Sequence, residues 1–444
     1  MNASTRQFFW EMSGRSTQVD RRRSLRMSFG VAGSGVFSLA AIAILTAQND
    51  FGYVSYVSDG GLRPGTAFGV LVMIVPFVLF ALQALRTGTA ARERRLAALS
   101  LAGATRSDLR RLALLEGTRA AVRGALASGP VYIALWVVLG PGMPMGSKIL
   151  PTPGIAVVLG WIGLVVVLGA AGGLLAQQAT HPATVSPLGL TRRRSRPLTL
   201  IGSIAPIASL VFTLVIFLFV HADSFFAFLL LPLGAITFVV TAGPWLVLLI
   251  GKLAARQGGL LTMLAARRLL ADVRTPGRIV GVMAAVGVVF GIVSVMLANV
   301  TSEYSADSRQ FYLAGMGAVT LAAVLAAVVA TSALVVGATE QILDNARSTA
   351  VFVALAASPD IVSRIVRRQM LLAALPPTLI GALAGWGFYG YVIGVQYGWP
   401  LVLLTFPLAI GIAVLAATLA ALIATQSVRP AILSTSGPEN LRTV

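Results

Sequence analysis

Residues 92–117 read RERRLAALSLAGATRSDLRRLALLEG, a basic stretch between two long apolar segments. Its arginines flank a short apolar core, and Gly103 with Thr105 predicts the end of a helix. Ser107 and Asp108 predict the start of the next helix, because serine and aspartate cap helix N-termini. The stretch therefore predicts a helix–turn–helix finger between two apolar spans.

The composition around this finger is that of an integral membrane protein. The chain has 444 residues, of which 57% are hydrophobic and 11% charged, and its mean hydropathy is +0.86. Soluble domains carry about 25% charged residues. The absence of cysteine excludes disulfides, thiolate metal sites and cysteine catalysis. With only His181 and His221, a histidine-rich metal site is not expected either.

Apolar windows of about 20 residues, long enough to cross the hydrocarbon core as a helix, predict an all-α fold of about ten transmembrane helices. The predicted spans are 27–47, 65–86, 118–140, 153–176, 198–221, 227–251, 279–299, 313–338, 371–394 and 400–425.

The basic residues predict the orientation of these spans. If the N-terminus is cytoplasmic, 31 of the 34 Lys and Arg residues fall in inner segments. The positive-inside rule then places both termini in the cytoplasm. The formal net charge of +19 is thus largely a topology signal, and a nucleic-acid partner is not expected.

Similar segments recur in the two halves of the chain. Residues 99–111 (LSLAGATRSDLRR) align with 353–365 (VALAASPDIVSRI), and GALA occurs at both 124–127 and 381–384. An even number of spans separates the copies, which gives them the same orientation. We therefore expect two parallel four-helix repeats, related by an axis along the membrane normal and joined by a two-helix hairpin.

This repeat predicts the domain organisation. Residues 1–26 form a lead, either an amphipathic surface helix or a disordered tail. The other predicted segments are a first four-helix unit (27–176) with a loop at 87–117, a cytoplasmic linker (177–197), a helical hairpin (198–251), a cytoplasmic amphipathic segment (252–278), a second four-helix unit (279–425) with a loop at 339–370, and a cytoplasmic tail (426–444).

The second loop predicts a second finger. Ala357, Ser358, Pro359 and Asp360 form its turn, with proline at a helix start. Alternatively, both loops are ordinary interfacial segments whose arginines meet anionic lipid. That alternative accounts for the charge but not for a turn with an apolar flank in both halves.

The first finger, RERRLAALSLAGAT followed by Glu116 and Gly117, resembles the coupling loop of FtsX-like (MacB-type, type VII) ABC transporter permeases. The ten-span layout is closest to the bacitracin-export-type permeases. The second copy departs from the pattern: Arg347 stands near the place of Glu93, Ala357 replaces the glycine, and Gln369 or Met370 replaces Glu116.

The resemblance implies a permease subunit in the bacterial plasma membrane that moves an amphiphilic substrate such as an antimicrobial peptide, drug or lipid, often as resistance. Its partner would be a separate ABC ATPase, in two copies, which binds ATP and Mg. The chain itself has no phosphate-binding loop, and therefore no cofactor or enzymatic activity of its own is expected. The implied ATPase contacts are Arg92, Glu93, Arg95, Leu99, Gly103, Ala104, Thr105, Leu355, Ala357, Ser358, Pro359 and Asp360.

Two other functions stay open at this stage. A non-transporting FtsX-like signal transmitter would control a cell-wall hydrolase or sensor kinase, but the predicted outer loops at 48–64 and 300–312 are too short for the family's usual extracytoplasmic domain. A secondary carrier usually places ionisable residues at mid-membrane, and the predicted spans hold no Asp, Glu, Lys or Arg there.

Overall fold

The structure is a computed structural model, and it describes most of the chain. The described residues are 18–47, 63–85, 99, 104–139, 150–179, 200–219, 234, 237–271, 273–303, 306–344, 351 and 359–435. Within these ranges the secondary structure is helical, with no strand. The all-α prediction is therefore confirmed.

The chain divides into two compact units, Met1–Arg193 and Arg194–Val444. The described helices of the first unit are α1 (Gln18–Thr46), α2 (Arg63–Val72), α3 (Ile74–Ala84), α4 (Arg106–Leu139) and α5 (Ile155–Ala179). Those of the second unit are α6 (Leu200–Phe219), α7 (Gly243–Gln257), α8 (Leu260–Ala271), α9 (Arg274–Glu303), α10 (Ala306–Asp344), α11 (Pro359–Tyr397) and α12 (Trp399–Thr435).

Eight segments in the described part of the chain are long and apolar enough to cross a membrane. They are Arg23–Thr46, Arg63–Ala84, Ser107–Val138, Ile155–Gln178, Pro276–Ser302, Gly315–Thr339, Asp360–Val395 and Trp399–Thr435. These eight coincide with predicted spans. The predicted span at 198–221 corresponds to α6, and that at 227–251 lies partly outside the described residues. The count of ten stays a prediction.

Proline explains the interruption between α2 and α3. The two helices together form one span that breaks at Met73. The ring of a helical proline clashes with the carbonyl four residues earlier, and for Pro76 that residue is Val72. The helix therefore stops at Val72 and resumes at Ile74.

In the first unit, α1 is the central helix. It packs against α2, α3, α4 and α5, and α4 also packs along α5. Small residues on α4, among them Ala120 and Ala121, form a buried cluster with Met27 and Val31 of α1. The Ser28 hydroxyl donates a hydrogen bond of 2.7 Å to the Ala120 carbonyl. Small side chains let the two helices approach closely.

In the second unit, α9 takes the central place. It packs against α10, α11 and α12, and α11 also packs along α12. Gly287 and Gly291 of α9 lie directly against the backbone of α11, while Gly381 and Gly385 of α11 lie directly against the backbone of α9. This reciprocal use of glycine, spaced four residues apart on each helix, brings the two backbones together.

The GALA glycines occupy corresponding places in the two units. A Cβ atom added to Gly124 on α4 would collide with the Ser28 carbonyl oxygen of α1. One added to Gly381 on α11 would collide with the Ala284 carbonyl oxygen of α9. Gly124 therefore marks a close approach of α4 to α1, and Gly381 marks a close approach of α11 to α9; α4 and α11 are the helices that follow the two predicted fingers.

Several helices extend beyond the predicted spans. The structure describes α1 from Gln18, inside the predicted lead, and α9 begins at Arg274, inside the predicted segment 252–278. α12 runs to Thr435, inside the predicted tail. Polar residues at the membrane edge can extend a helix because its backbone hydrogen bonds are internal and need no apolar environment.

The amphipathic segment before α9 does contain a helix, α8, with Ala265, Ala266 and Leu269 buried. α8 packs against α7 and α11. The buried side of this helix therefore faces protein, whereas Leu260 at its start is exposed.

Candidate functional site: two polar helix starts

The candidate site consists of the segments that lead into α4 and α11. Of the predicted contact residues, the structure describes Leu99, Ala104, Thr105, Pro359 and Asp360. The others lie outside the described residues: Arg92, Glu93, Arg95, Gly103, Leu355, Ala357 and Ser358.

A hydrogen bond in the first segment has the form that ends a helix. The Ala104 backbone N–H donates to the Leu99 carbonyl at 3.0 Å. This bond closes six residues, as the outer bond of a Schellman motif does, and such motifs usually place glycine just before the donor. In this sequence that preceding residue is Gly103. The bond supports the predicted end of the first finger helix.

Thr105 is the N-cap of α4. Its carbonyl accepts the first helical hydrogen bond, from the Leu109 N–H at 3.1 Å. Its backbone N–H donates to the Asp108 carboxylate at 3.0 Å, and its hydroxyl accepts from the Asp108 N–H at 3.3 Å. This reciprocal arrangement is a capping box with aspartate in place of the usual glutamate.

The sequence prediction assigned Thr105 to the wrong helix. It assigned Thr105 to the end of the first helix and started the second at Ser107 and Asp108. Thr105 instead starts the second helix. Its hydroxyl accepts from the Asp108 N–H, and the Asp108 carboxylate accepts from the Thr105 N–H, so two N–H groups at the helix start have partners. The threonine three residues before an aspartate was the available signal.

We expect Asp108→Ala to destabilise the start of α4, since the substitution removes the capping box. The measurement is hydrogen exchange of the backbone amides at residues 105–109, which should become faster. Arg110→Ala is the matched control, because Arg110 is exposed, on the same turn and outside the box. Equal exchange in both variants would contradict the assigned cap.

The second helix start follows the prediction. α11 begins at Pro359, with Asp360 exposed in the first turn. Proline suits the first helical position because its missing N–H would have no partner there. An acidic residue in the first turn also interacts favourably with the helix dipole.

Two neighbouring helices contact α11 a few turns after this start. The Arg368 guanidinium donates to the Thr262 hydroxyl of α8. The Gln369 amide donates to the Gln341 amide oxygen of α10 at 3.2 Å. Sequence reasoning missed both contacts, since nothing in the local pattern indicates which residues of separate helices meet.

Both helix starts are continuous with long apolar helices. α4 has 34 residues and α11 has 39. At 1.5 Å per residue they are about 51 Å and about 58 Å long, whereas the hydrocarbon core is about 30 Å thick. Each polar start therefore belongs to the same helix as the apolar part of its unit, with Pro130 inside α4 and Pro376 and Pro377 inside α11.

Chemically, the described part of the site offers hydroxyl, carboxylate and guanidinium groups at helix ends. In the part of the chain that the structure describes, no group of three or more His, Cys, Asp or Glu residues is placed to hold a metal ion. Comparison with protein-family models, curated proteins and solved structures found no match for this chain.

Proposed function

We propose that this protein is the transmembrane permease subunit of an ATP-driven ABC transporter of the FtsX-like type. A separate ATPase would dock on the two helix starts, and the permease would export an amphiphilic substrate or extract it from the membrane. One observation carries the proposal: the helix that follows each predicted finger turn, α4 or α11, continues into a long apolar segment.

The internal organisation of the two units supports a duplicated permease. α1 packs against α2, α3, α4 and α5, with α4 packed along α5; likewise α9 packs against α10, α11 and α12, with α11 packed along α12. Gly124 and Gly381 make corresponding backbone contacts with α1 and α9. We therefore propose two parallel four-helix repeats joined by a hairpin, ten spans in all, with both termini in the cytoplasm of a bacterium.

Two repeats would provide two docking fingers, one for each ATPase copy. Closure of the ATPases on ATP and Mg would displace the polar ends of α4 and α11. Because α4 meets α1, and α11 meets α9, through a glycine, the displacement would turn α4 about its contact with Ser28 and α11 about its contact with Ala284. Such a movement would change the lipid-facing surfaces where an amphiphile could enter.

The test is co-purification with the ABC ATPase encoded beside the gene, in nucleotide-free detergent solution. Wild type is expected to retain two ATPase copies. Gly103→Arg and Ala357→Arg, each of which places a bulky charge in a predicted finger turn, are each expected to reduce the bound ATPase at least tenfold. The readout is the ATPase-to-permease ratio in the eluted peak.

Gly154→Arg is the matched control. Gly154 precedes α5, and a Cβ atom added there would meet no other atom within 4 Å. This variant should retain the ATPase as wild type does, and all variants should elute as one folded species. Full retention by both finger variants, or no ATPase on wild type, would overturn the docking role.

A further inference from the structure

A guanidinium group is fixed at the basic end of the contact between α1 and α4, here called the α1–α4 seam. Arg123 donates from Nη2 to the Ser24 hydroxyl at 2.6 Å and from Nε to the Arg119 carbonyl at 3.2 Å. These two bonds orient the Arg123 side chain across the seam. Neither acceptor neutralises its charge, and the residue is exposed.

The charges around Arg123 are unbalanced. Arg119, one helical turn earlier, repels Arg123 electrostatically. The nearby carboxylate of Glu116 attracts both Arg119 and Arg23, and that of Asp20 also attracts Arg23. Arg119 and Arg23 thus each have a carboxylate nearby, whereas Arg119 and Arg123 place like charges next to each other.

This charge lies where the apolar surface begins. Met27, one turn after Ser24 on α1, is already part of the buried apolar cluster. Leu25 on α1 is 56% exposed, and Leu126 on α4, close to one turn after Arg123, is 47% exposed. An anionic head at Arg123 would therefore have exposed apolar side chains beside it for an acyl chain.

The three positions of the second unit that correspond to Ser24, Arg119 and Arg123 carry no charge. When the units are aligned on Gly124 and Gly381, with Ser28 matched to Ala284, the positions of Ser24, Arg119 and Arg123 are taken by apolar residues. They are Val280, Pro376 and Ile380, respectively. The α9–α11 contact forms without them, so the arginine pair is not a requirement of this helix packing.

We infer that the α1–α4 seam binds the phosphate headgroup of an anionic phospholipid, with Arg123 as the main ligand and Arg119 beside it. A guanidinium presents paired donors that match phosphate oxygens, and bound phosphate would relieve the repulsion between the two arginines. Basic pockets between membrane helices bind anionic headgroups in this way. The inference does not depend on the proposed ATPase.

The test is native mass spectrometry of the full chain in detergent, titrated with dioleoyl phosphatidylglycerol or with dioleoyl phosphatidylcholine. Wild type is expected to bind one phosphatidylglycerol at least about fivefold more tightly than phosphatidylcholine, since one arginine near the surface contributes about that factor. Arg123→Gln should abolish the preference, and Ser24→Ala, which keeps the charge but frees Nη2, should reduce it.

Arg267→Gln is the control, since it removes one exposed arginine from α8 and should leave the preference intact. The inference is overturned if Arg123→Gln keeps the preference, if Arg267→Gln loses it equally, or if both lipids bind wild type alike. Displacement of phosphatidylglycerol by millimolar inorganic phosphate would also overturn it, because the site would then be one for free phosphate. If Arg123→Gln fails to fold, an unchanged preference in Ser24→Ala overturns it.

Discussion

Gly381→Ala is expected to lower the free energy of unfolding by at least about 2 kcal/mol, although alanine is the better helix former. The added Cβ atom would collide with the Ala284 carbonyl oxygen and lie 2.8 Å from the Ala284 carbonyl carbon and 3.0 Å from the Val288 nitrogen. These are backbone atoms, which cannot rotate away as a side chain can. The two helices would have to separate, and the contacts of Gly287 and Gly291 would loosen with them.

Gly387, also on α11, provides a control for which the expected change in the free energy of unfolding has the opposite sign. A Cβ atom added to Gly387 meets no other atom within 4 Å, so Gly387→Ala should raise the free energy of unfolding by up to about 1 kcal/mol. Denaturant titration of the purified protein in mixed micelles measures both. Similar changes in the two variants would show that the α9–α11 approach is looser than the structure has it.

Trp386→Ala is expected to lower the free energy of unfolding by about 3 kcal/mol, the range for removing a large aromatic side chain from a packed site. The indole N–H donates to the Thr405 hydroxyl at 3.1 Å and to the Val402 carbonyl at 3.3 Å. The ring meets Phe406 edge to face at 5.0 Å. It also packs on the buried cluster of Val295, Ile393 and Val402.

Two further variants separate packing from hydrogen bonding. Trp386→Phe should lose only about 1 kcal/mol, because the Thr405 hydroxyl already donates to the Val402 carbonyl at 2.7 Å. Phe388→Ala, at a position 48% exposed on the same helix, should change the free energy of unfolding by less than about 1 kcal/mol. If Trp386→Ala costs no more than Phe388→Ala in the same micelle titration, the α11–α12 contact is not held by this side chain.

Features that depend only on residues close together along the chain could be predicted from the sequence. The apolar windows predicted the eight spans that the structure describes, because a helix satisfies its own backbone hydrogen bonds and needs only an apolar stretch of sufficient length. Pro359 predicted the start of α11, and Gly103 agrees with the bond between Leu99 and Ala104. The cap at Thr105 was missed because several neighbouring residues were suitable caps, and only the geometry distinguishes them.

Contacts between separate helices could not be predicted in this way. The hydrogen bonds from Arg123 to Ser24 and from Arg368 to Thr262 join residues about a hundred positions apart. Each depends on the rotation and register of two packed helices, which a local sequence pattern does not fix. The sequence by itself thus determined that the chain is helical, with apolar segments of membrane-spanning length, and that α11 begins at Pro359. Only the tertiary structure decided which side chains meet, because that depends on the register of the packed helices, which between α1 and α4 is fixed where Gly124 lies against the backbone of Ser28.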